Sequence, residues 1–183
     1  MHYTRAEYLA LERSSNVKHE YLDGQIYAMA GGSPERAALA ATVIGLLFPQ
    51  LRSGRCRALD ADLRVRTPTG LSTYPDVTIV CGPRTPDPED PQAITNPTLL
   101  VEVLSPSTEE YDRGDKFEHY RRLSSLRTYV LVSSRDRAVE VWAKGAGDTW
   151  TRTVARDGEV AELPSIEARL DVHELYESAR PGE

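Results

Sequence analysis

The chain lacks the features that would assign it to a membrane, to a secretory route or to a strongly basic class of protein. No apolar run reaches the about 18 residues that span a bilayer, and no basic-then-apolar leader is present, so we expect neither a membrane span nor a signal peptide. The 22 lysines and arginines are outnumbered by 28 aspartates and glutamates, which gives a net charge of −6. A polyanionic partner would therefore need a local basic patch or a bound metal.

Cysteine is also scarce, with only Cys56 and Cys81. Their spacing is not that of a metal site and nothing indicates secretion, so we expect reduced thiols and a cytoplasmic location. The 183 residues, 40% of them hydrophobic, suffice for one folded domain. A chain of this length buries roughly 70% of its unfolded surface, and we predict a single domain over residues 1–183.

Local patterns predict the first elements. Thr4 and Glu7 have the spacing of a capping box, which predicts a helix to about Arg13. Asp23 and Gly24 suit a type I′ turn, which predicts a β-hairpin between residues 17 and 29. These elements form an N-terminal helix and hairpin ahead of the main part of the chain.

Hydrophobic periodicity predicts the elements that follow. They are a helix at 34–52, strands at 57–66, 74–81 and 98–104, a helix at 108–123, strands at 129–133 and 139–143, a small hairpin at 150–163 and a helix at 171–178. We expect Pro49 to kink the first of these helices or to end it near Phe48, because an interior proline removes a hydrogen bond. The proline-rich stretch at 83–97 is expected to be a surface excursion.

Two predicted strands carry carboxylates where buried strands rarely have them. Asp76 begins the apolar run DVTIV, and Glu102 interrupts the run LLVEVL. A charged group is costly in such a position unless it is paired or bound to a cation. Lys116 lies on the next predicted helix. Two acids and a lysine would form a cation-binding site with a positive partner, which is a working hypothesis for phosphodiester chemistry.

These three residues also have simpler structural explanations. Asp76 follows a proline, so its role could be purely structural, as a residue that begins a strand or forms a turn. Glu102 could form a structural ion pair, although that explanation is weaker for an acid in a buried run. Lys116 could make a surface salt bridge with Asp112, four residues earlier on the same helix.

Two further acids are candidates for a supporting role. Glu20, in the first hairpin, could be an additional metal ligand or an exposed strand acid. Asp62 could act near the metal or a phosphate. Its alternation with Arg64 and Arg66 on the predicted strand favours a mixed-charge sheet face instead.

The αβββαβ order, with an aspartate on the second core strand and a glutamate on the third, resembles the PD-(D/E)XK nuclease superfamily. Five motifs more closely resemble the Uma-type family of restriction-endonuclease-like bacterial proteins. They are VKHEYLDG at 17–24, MAGGSPE at 29–35, YPDV at 74–77, VEVLSPST at 101–108 and YDRGDK at 111–116. The resemblance covers nearly the whole chain. It implies an α/β (α+β) restriction-endonuclease-like fold with a mixed central sheet, a core at about 34–143 and a Mg²⁺-dependent nuclease activity.

The resemblance also implies roles for individual residues. Asp76 and Glu102 match the metal ligands for Mg²⁺ or Mn²⁺, and with Lys116 they form the predicted catalytic set. Leu104 occupies the position, two after the glutamate, where the superfamily carries its lysine; in the Uma-type pattern a lysine from the following helix replaces it, and Lys116 matches that lysine. Arg36 occupies a position where relatives usually carry a histidine.

The leading hypothesis is a metal-dependent DNA endonuclease in the cytoplasm, with DNA as substrate and no membrane partner. A homodimer is open, because many nucleases dimerise to cut both strands but no coiled-coil pattern supports it here. The main alternative is a catalytically silent binding or interaction protein that retains the nuclease fold. A hydrolase of another phosphoester is a weaker alternative. Glycoside hydrolysis is less economical, because strand-borne carboxylates next to a lysine favour a metal site.

Overall fold

The computed structural model describes residues 2–29 and 31–180. Ala30 of the MAGGSPE motif and both ends of the predicted 1–183 domain lie outside the described residues. The helices are α1 (Arg5–Ser14), α2 (Pro34–Leu51), α3 (Glu109–Arg113), α4 (Asp115–Tyr120) and α5 (Val172–Ser178). The strands are β1 (His19–Leu22), β2 (Gln25–Ala28), β3 (Cys56–Asp60), β4 (Arg64–Arg66), β5 (Ser72–Thr73), β6 (Val77–Cys81), β7 (Pro86–Asp87), β8 (Asp90–Ile94), β9 (Leu99–Leu104), β10 (Thr128–Ser133), β11 (Ala138–Lys144), β12 (Trp150–Arg156), β13 (Val160–Leu163) and β14 (Ala168–Asp171).

The central sheet has the strand order β12-β11-β10-β9-β6-β3. Strands β9 and β10 are parallel and the other neighbouring pairs are antiparallel, so the sheet is mixed, as predicted. Side chains alternate between its two faces. Val101 and Val130 belong to one buried cluster with α2 and α5, whereas Leu100 and Leu131 belong to a second cluster with α4. Glu102 is opposite Leu131 in the register and therefore lies on the α4 face.

A second sheet, ordered β2-β1-β5-β4-β8-β7, lies on the α4 side. Val65, Leu71 and Ile94 of this part of the chain share a buried cluster with Leu100 and Leu104 of the central sheet. This packing brings the first hairpin next to the end of β9. The remaining strands, β13 and β14, form a two-stranded sheet.

The N-terminal predictions are confirmed. The Thr4 side chain accepts a hydrogen bond from the Glu7 backbone N–H and the Glu7 carboxylate accepts one from the Thr4 N–H, which completes the capping box of α1. Asp23 and Gly24 join β1 to β2 with φ angles of 47° and 77°. Both values are those that a type I′ turn requires.

The predicted strand at 57–66 is wrong, because a turn at 61–63 divides it. The Asp60 side chain accepts a hydrogen bond from the backbone N–H of Asp62, at 3.0 Å, and the Asp60 carbonyl accepts one from Leu63. Such a local bond competes with the strand ladder. Strands β3 and β4 consequently lie in different sheets, and the expected charged face with Arg64 and Arg66 does not form.

The predicted surface excursion at 83–97 is mostly exposed, but it contains the β7–β8 hairpin, which the sequence did not predict. The Asp87 carboxylate accepts hydrogen bonds from the backbone N–H groups of Glu89 and Asp90, which stabilise the turn between the strands. Asp90 then pairs with buried Arg64 at 2.8 Å. Charged residues therefore anchor this proline-rich segment to the second sheet.

Three other predicted boundaries need correction. Helix α2 continues through Pro49 to Leu51, because Pro49 removes a single backbone donor and the Arg52 N–H still closes the last turn on the Phe48 carbonyl. The predicted helix at 108–123 breaks at Gly114 (φ −107°, ψ −103°) into α3 and α4. Strand β12 pairs with β11 at the edge of the central sheet, and β13 pairs with β14, so the expected hairpin at 150–163 is wrong.

The expectation of reduced thiols is wrong as well. Cys56 and Cys81 are directly opposite each other on antiparallel β3 and β6, with Cα atoms 3.9 Å apart, and form a disulfide. Sequence spacing could not reveal this pairing, because it depends on the register of the two strands. None of the described helices is long and apolar enough to cross a membrane.

Candidate active site

One cleft brings together most of the predicted site residues. A cavity of about 500 Å³ is lined by Glu20, Asp76, Glu102, Asp112 and Lys116. These residues come from the first hairpin, from the start of β6, from β9, and from α3 and α4. Residues that are up to 96 positions apart in sequence therefore meet in one place.

The sheet register explains how two carboxylates come together. Val77 of β6 is opposite Val101 of β9 in an antiparallel pair, so Asp76, one residue before β6, lies beside Glu102. The break at Gly114 then starts a new helix, which places Lys116 in the first turn of α4 above the same sheet face.

Lys116 is surrounded by carboxylates. Its buried Nζ lies 3.1 Å from Oε1 of Glu102, 3.2 Å from Oε1 of Glu20 and 3.4 Å from Oδ1 of Asp112. Burial alone would lower the pKa of Lys116, but these carboxylates raise its pKa well above the usual value. The ammonium group is therefore charged at neutral pH. The surface salt bridge considered for Lys116 does not describe this buried position.

Glu102 is held at one oxygen and is hard to ionise. The Tyr120 hydroxyl donates a hydrogen bond of 2.7 Å to Oε1, the oxygen that also faces Lys116. Burial raises the pKa of the Glu102 carboxyl to about 8; Lys116 and Tyr120 oppose the rise, and the carboxylates of Asp112 and Asp76 add to it. Oε2 has no donor among the described residues and is the oxygen left for a cation.

Asp76 is likewise fixed through one oxygen. Its Oδ2 accepts hydrogen bonds from the Val103 N–H at 2.7 Å and from Nη2 of Arg36 at 3.3 Å. The Arg36 Nε donates to the Val103 carbonyl at 2.9 Å, so this guanidinium ties α2 both to β9 and to the carboxylate. Within the described chain Oδ1 has no donor. The arrangement leaves that oxygen for a ligand.

The two candidate supporting residues have different positions. Glu20 accepts a hydrogen bond from the Thr73 hydroxyl and pairs with Lys116, so it belongs to the cleft. Asp62 is not brought to the cleft. Its side chain is 82% exposed and pairs with Lys18 across the turn after β3.

The donor set suits a hard divalent cation. The cleft contains four carboxylates against the positive charges of Lys116 and Arg36, so with all groups ionised two negative charges are in excess. Oxygen donors are those that Mg²⁺ and Mn²⁺ prefer. Across the described residues, no three His, Cys, Asp or Glu side chains form a ready metal cluster. A cation here would be held by two carboxylates, with water and substrate completing its coordination.

Sequence reasoning missed several residues of the site. The sequence indicates Arg36 only as a departure from relatives, because its contact with Asp76 depends on the position of α2 against β9. Tyr120 and Thr73 carry no motif that would single them out. The sequence indicates Asp112 only as a partner of Lys116, whereas the structure buries it beside Lys116 and Glu102 in one cluster.

A larger cavity of about 790 Å³ adjoins the cleft and shares Arg36, Tyr74 and Asp76 with it. Beyond Arg36, its wall along α2 consists of small and apolar side chains, including Ala40 and Ile44. The site therefore has a charged part next to a mostly apolar part.

Comparisons with known proteins agree with this architecture. A crystal structure of an Anabaena variabilis protein, described as "a putative nuclease belonging to DUF820", superposes with a TM-score of 0.75. The match covers 96% of this chain and 98% of that one at 18% identity, which shows a shared restriction-endonuclease-like fold.

Two proteins of Synechocystis are similar in sequence. One, slr1290, is 40% identical over 171 residues, which is 93% of this chain and 89% of the relative. The other, sll1609, is 31% identical over 161 residues, or 87% and 90% of the two chains. The family Uma2, described as "Putative restriction endonuclease", matches residues 5–173. The chain therefore belongs to the Uma2 family.

Proposed function

We propose that this protein is a metal-dependent DNA endonuclease that hydrolyses phosphodiester bonds. The observation that carries the proposal is the convergence of Asp76, Glu102 and Lys116 in one cleft. Two carboxylates with unengaged oxygens next to a buried ammonium group provide a place for a cation and a fixed positive charge. The family description and the fold of the Anabaena protein support the same reaction class.

In this proposal Asp76 and Glu102 would hold Mg²⁺ or Mn²⁺ through Oδ1 and Oε2, the oxygens that accept no hydrogen bond among the described residues. When bound there, such a cation would supply Lewis acidity toward the phosphoryl oxygen and a water of lowered pKa. Tyr120 keeps the other oxygen of Glu102 in place. Val103 and Arg36 do the same for Asp76.

Lys116 stabilises the negative charge that develops on the phosphoryl group. Glu20 and Asp112 keep this lysine protonated and limit its movement, which prepares its charge before substrate binds. Glu20 is thus a supporting residue that acts through Lys116. Asp62 has no part in the proposed reaction.

Cleavage of labelled DNA in Mg²⁺ or Mn²⁺ tests the proposal. We expect the parent to cleave and both Asp76→Ala and Glu102→Ala to abolish cleavage, with Asp62→Ala as the matched control that keeps it. Single-stranded and duplex DNA are tested in parallel. The proposal fails if the parent with an intact fold cleaves neither, or if the double alanine variant cleaves as well as the parent.

The proposal includes the setting of the enzyme. We place it in the cytoplasm of a bacterium, where DNA is available, and we propose a homodimer because two copies can cut both strands. Sedimentation velocity with and without DNA measures the assembly. If the protein is a monomer under both conditions, the proposed dimer is wrong, whereas the proposed cleavage chemistry is unaffected.

A further inference from the structure

A second cleft on the same sheet face is rich in arginine. Its cavity of about 270 Å³ is lined by Arg113, Arg135, Arg152 and Arg156. These residues come from α3, from the turn after β10 and from β12, so no run of basic residues in the sequence reveals them. Three acids line the same cavity, which leaves one positive charge in excess within a chain of net charge −6.

The sheet register relates this cleft to the active site. Glu102, Leu131, Glu140 and Val154 are successive cross-strand partners and therefore share one face. Arg152 and Arg156 stand two residues to either side of Val154, on that same face. Three strand spacings separate Glu102 from Val154, or roughly 14 Å, which is a few nucleotides of a DNA strand at about 3.4 Å of axial rise each.

Helix α3 is the wall between the two clefts. Thr108, Tyr111 and Asp112 of this segment line the active-site cavity, whereas Glu109 and Arg113 line the arginine cavity. Strands β9 and β10 are parallel, so the turn after β10, which carries Arg135, lies at the same end of the strands as the C-terminal end of β9. A strand that leaves the active site over α3 would enter the arginine cleft.

Glu140 organises part of this cleft. Its buried carboxylate accepts hydrogen bonds from Nη1 of Arg113 and, at 2.6 Å, from Nε of Arg152. Each of these arginines retains donors that Glu140 does not use. Arg135 and Arg156 are exposed residues, and neither side chain forms an ion pair among the described residues. The backbone N–H of Arg156, but not its guanidinium group, donates a hydrogen bond to Glu159. The cleft thus holds two arginines fixed by a buried acid and two that are available to an external anion.

We propose that this arginine cleft binds the phosphate backbone of DNA beside the scissile position. The inference rests on the proposed nuclease function for its substrate, and it explains how an acidic chain can hold a polyanion. Arginine suits this role because its planar donors match phosphate oxygens in pairs. Backbone contacts of this type position the substrate and do not read its sequence.

Fluorescence anisotropy with labelled DNA in EDTA tests the proposal, because the proposed cleavage stops in EDTA while arginine contacts persist. We expect Arg135→Ala/Arg156→Ala to weaken binding about tenfold and to reduce the slope of log K against log salt by about 2. The control is Arg52→Ala/Arg55→Ala, which removes the same charge from exposed positions before β3. Strand β3 is antiparallel to β6, and β6 is antiparallel to β9, so β3 and β9 run in the same direction. Positions before β3 therefore lie at the opposite end of the strands from the arginine cleft.

The outcomes separate this proposal from the nuclease proposal. Binding that is lost selectively in the Arg135/Arg156 variant, from a parent that does not cleave, supports the arginine cleft and refutes the nuclease. If both double variants lose DNA affinity equally, or if neither loses it, the proposal that the arginine cleft binds DNA is wrong. Calorimetry with inorganic phosphate is the final experiment. If phosphate binds the cleft to saturation while the parent binds no DNA, the cleft binds a small anion and the DNA assignment is wrong.

Discussion

The ammonium nitrogen of Lys116 lies 3.1 Å from Oε1 of Glu102, and the two side chains are both buried. The residue two positions after Glu102 is Leu104, which packs in the core with α4 instead of facing the cleft. The positive partner of the glutamate thus comes from a helix, and the strand needs to supply only the acid.

Replacing Lys116 by methionine tests the role of this charge. We expect cleavage to fall by about 10²–10³-fold, since a preorganised charge at the developing oxyanion is lost. The three acidic groups around it would lose their positive partner, so we also expect the metal-free protein to lose about 3 kcal/mol of unfolding free energy. Denaturant unfolding followed by circular dichroism measures the second effect.

The matched control is Lys144→Met, because Lys144 also pairs with an acid four residues away, the exposed Asp148. Its loss should leave cleavage unchanged and stability within about 0.5 kcal/mol. If both variants behave alike, the carboxylate cluster has no special dependence on Lys116.

Arg36→Gln separates two opposing effects on the metal. The guanidinium helps to hold Asp76, and a hydrogen bond of this charged type contributes about 1.5–3 kcal/mol. Its repulsion of a nearby divalent ion amounts to several kcal/mol at an effective dielectric constant of about 20, so the repulsion is the larger effect.

We therefore expect Arg36→Gln to bind Mn²⁺ more tightly than the parent and to cleave more slowly, because Asp76 is less well held. Titration calorimetry measures the affinity, and Arg36→Lys, which keeps the charge, should bind Mn²⁺ much as the parent does. Weaker Mn²⁺ binding in Arg36→Gln would mean that orientation of Asp76 outweighs repulsion.

The raised pKa of Glu102 predicts that metal binding depends on pH. Burial raises the pKa of this carboxyl to about 8, so at neutral pH the metal-free protein holds a proton that a cation must displace. We expect Mn²⁺ affinity to increase as pH rises from about 6 to about 8, with proton release on binding. Calorimetry in buffers of different ionisation enthalpy measures the proton count, and a count of zero at neutral pH would contradict the assignment.

Glu140→Gln tests the acid that joins Arg113 and Arg152. We expect a loss of about 1–3 kcal/mol of unfolding free energy, because two arginines lose their shared partner. Burial opposes ionisation of Glu140, but bonds from both arginines hold its pKa below the usual value. Its stabilisation is therefore present above about pH 5 and is lost as pH falls through the lowered pKa.

Unfolding midpoints of parent and variant at neutral and acidic pH measure this effect. The difference should be larger at neutral pH and should shrink in acid. Glu162→Gln, at an exposed position of β13, is the control and should change little. A Glu140 effect that is constant over the whole pH range would show that its charge contributes nothing.

The sequence predicted the central elements well because their signals are local. The runs around Asp76 and Glu102 are continuous apolar segments, and the capping box at Thr4 and the Asp23-Gly24 turn depend on neighbouring residues. A family resemblance resting on five motifs in order then made Lys116 a candidate site residue, although no local pattern distinguishes it from a surface lysine.

The errors have a different origin. Strand pairing depends on tertiary structure, and no single segment of the sequence determines it. Three features depend on this pairing: the turn after Asp60, the hairpin at 86–94 and the Cys56–Cys81 bridge. For the same reason the sequence alone did not predict the contact of Arg36 with Asp76 or the arginine cleft. Both assemble side chains from separate elements at one end of the sheet.

Crystals soaked in Mn²⁺ test whether Asp76 and Glu102 bind a metal, because anomalous scattering locates the ion without reference to activity. We expect one strong peak coordinated by carboxylate oxygens of Asp76 and Glu102, and we expect it to disappear in Asp76→Asn. A fully occupied peak elsewhere, or no peak in this cleft at saturating Mn²⁺, would contradict it.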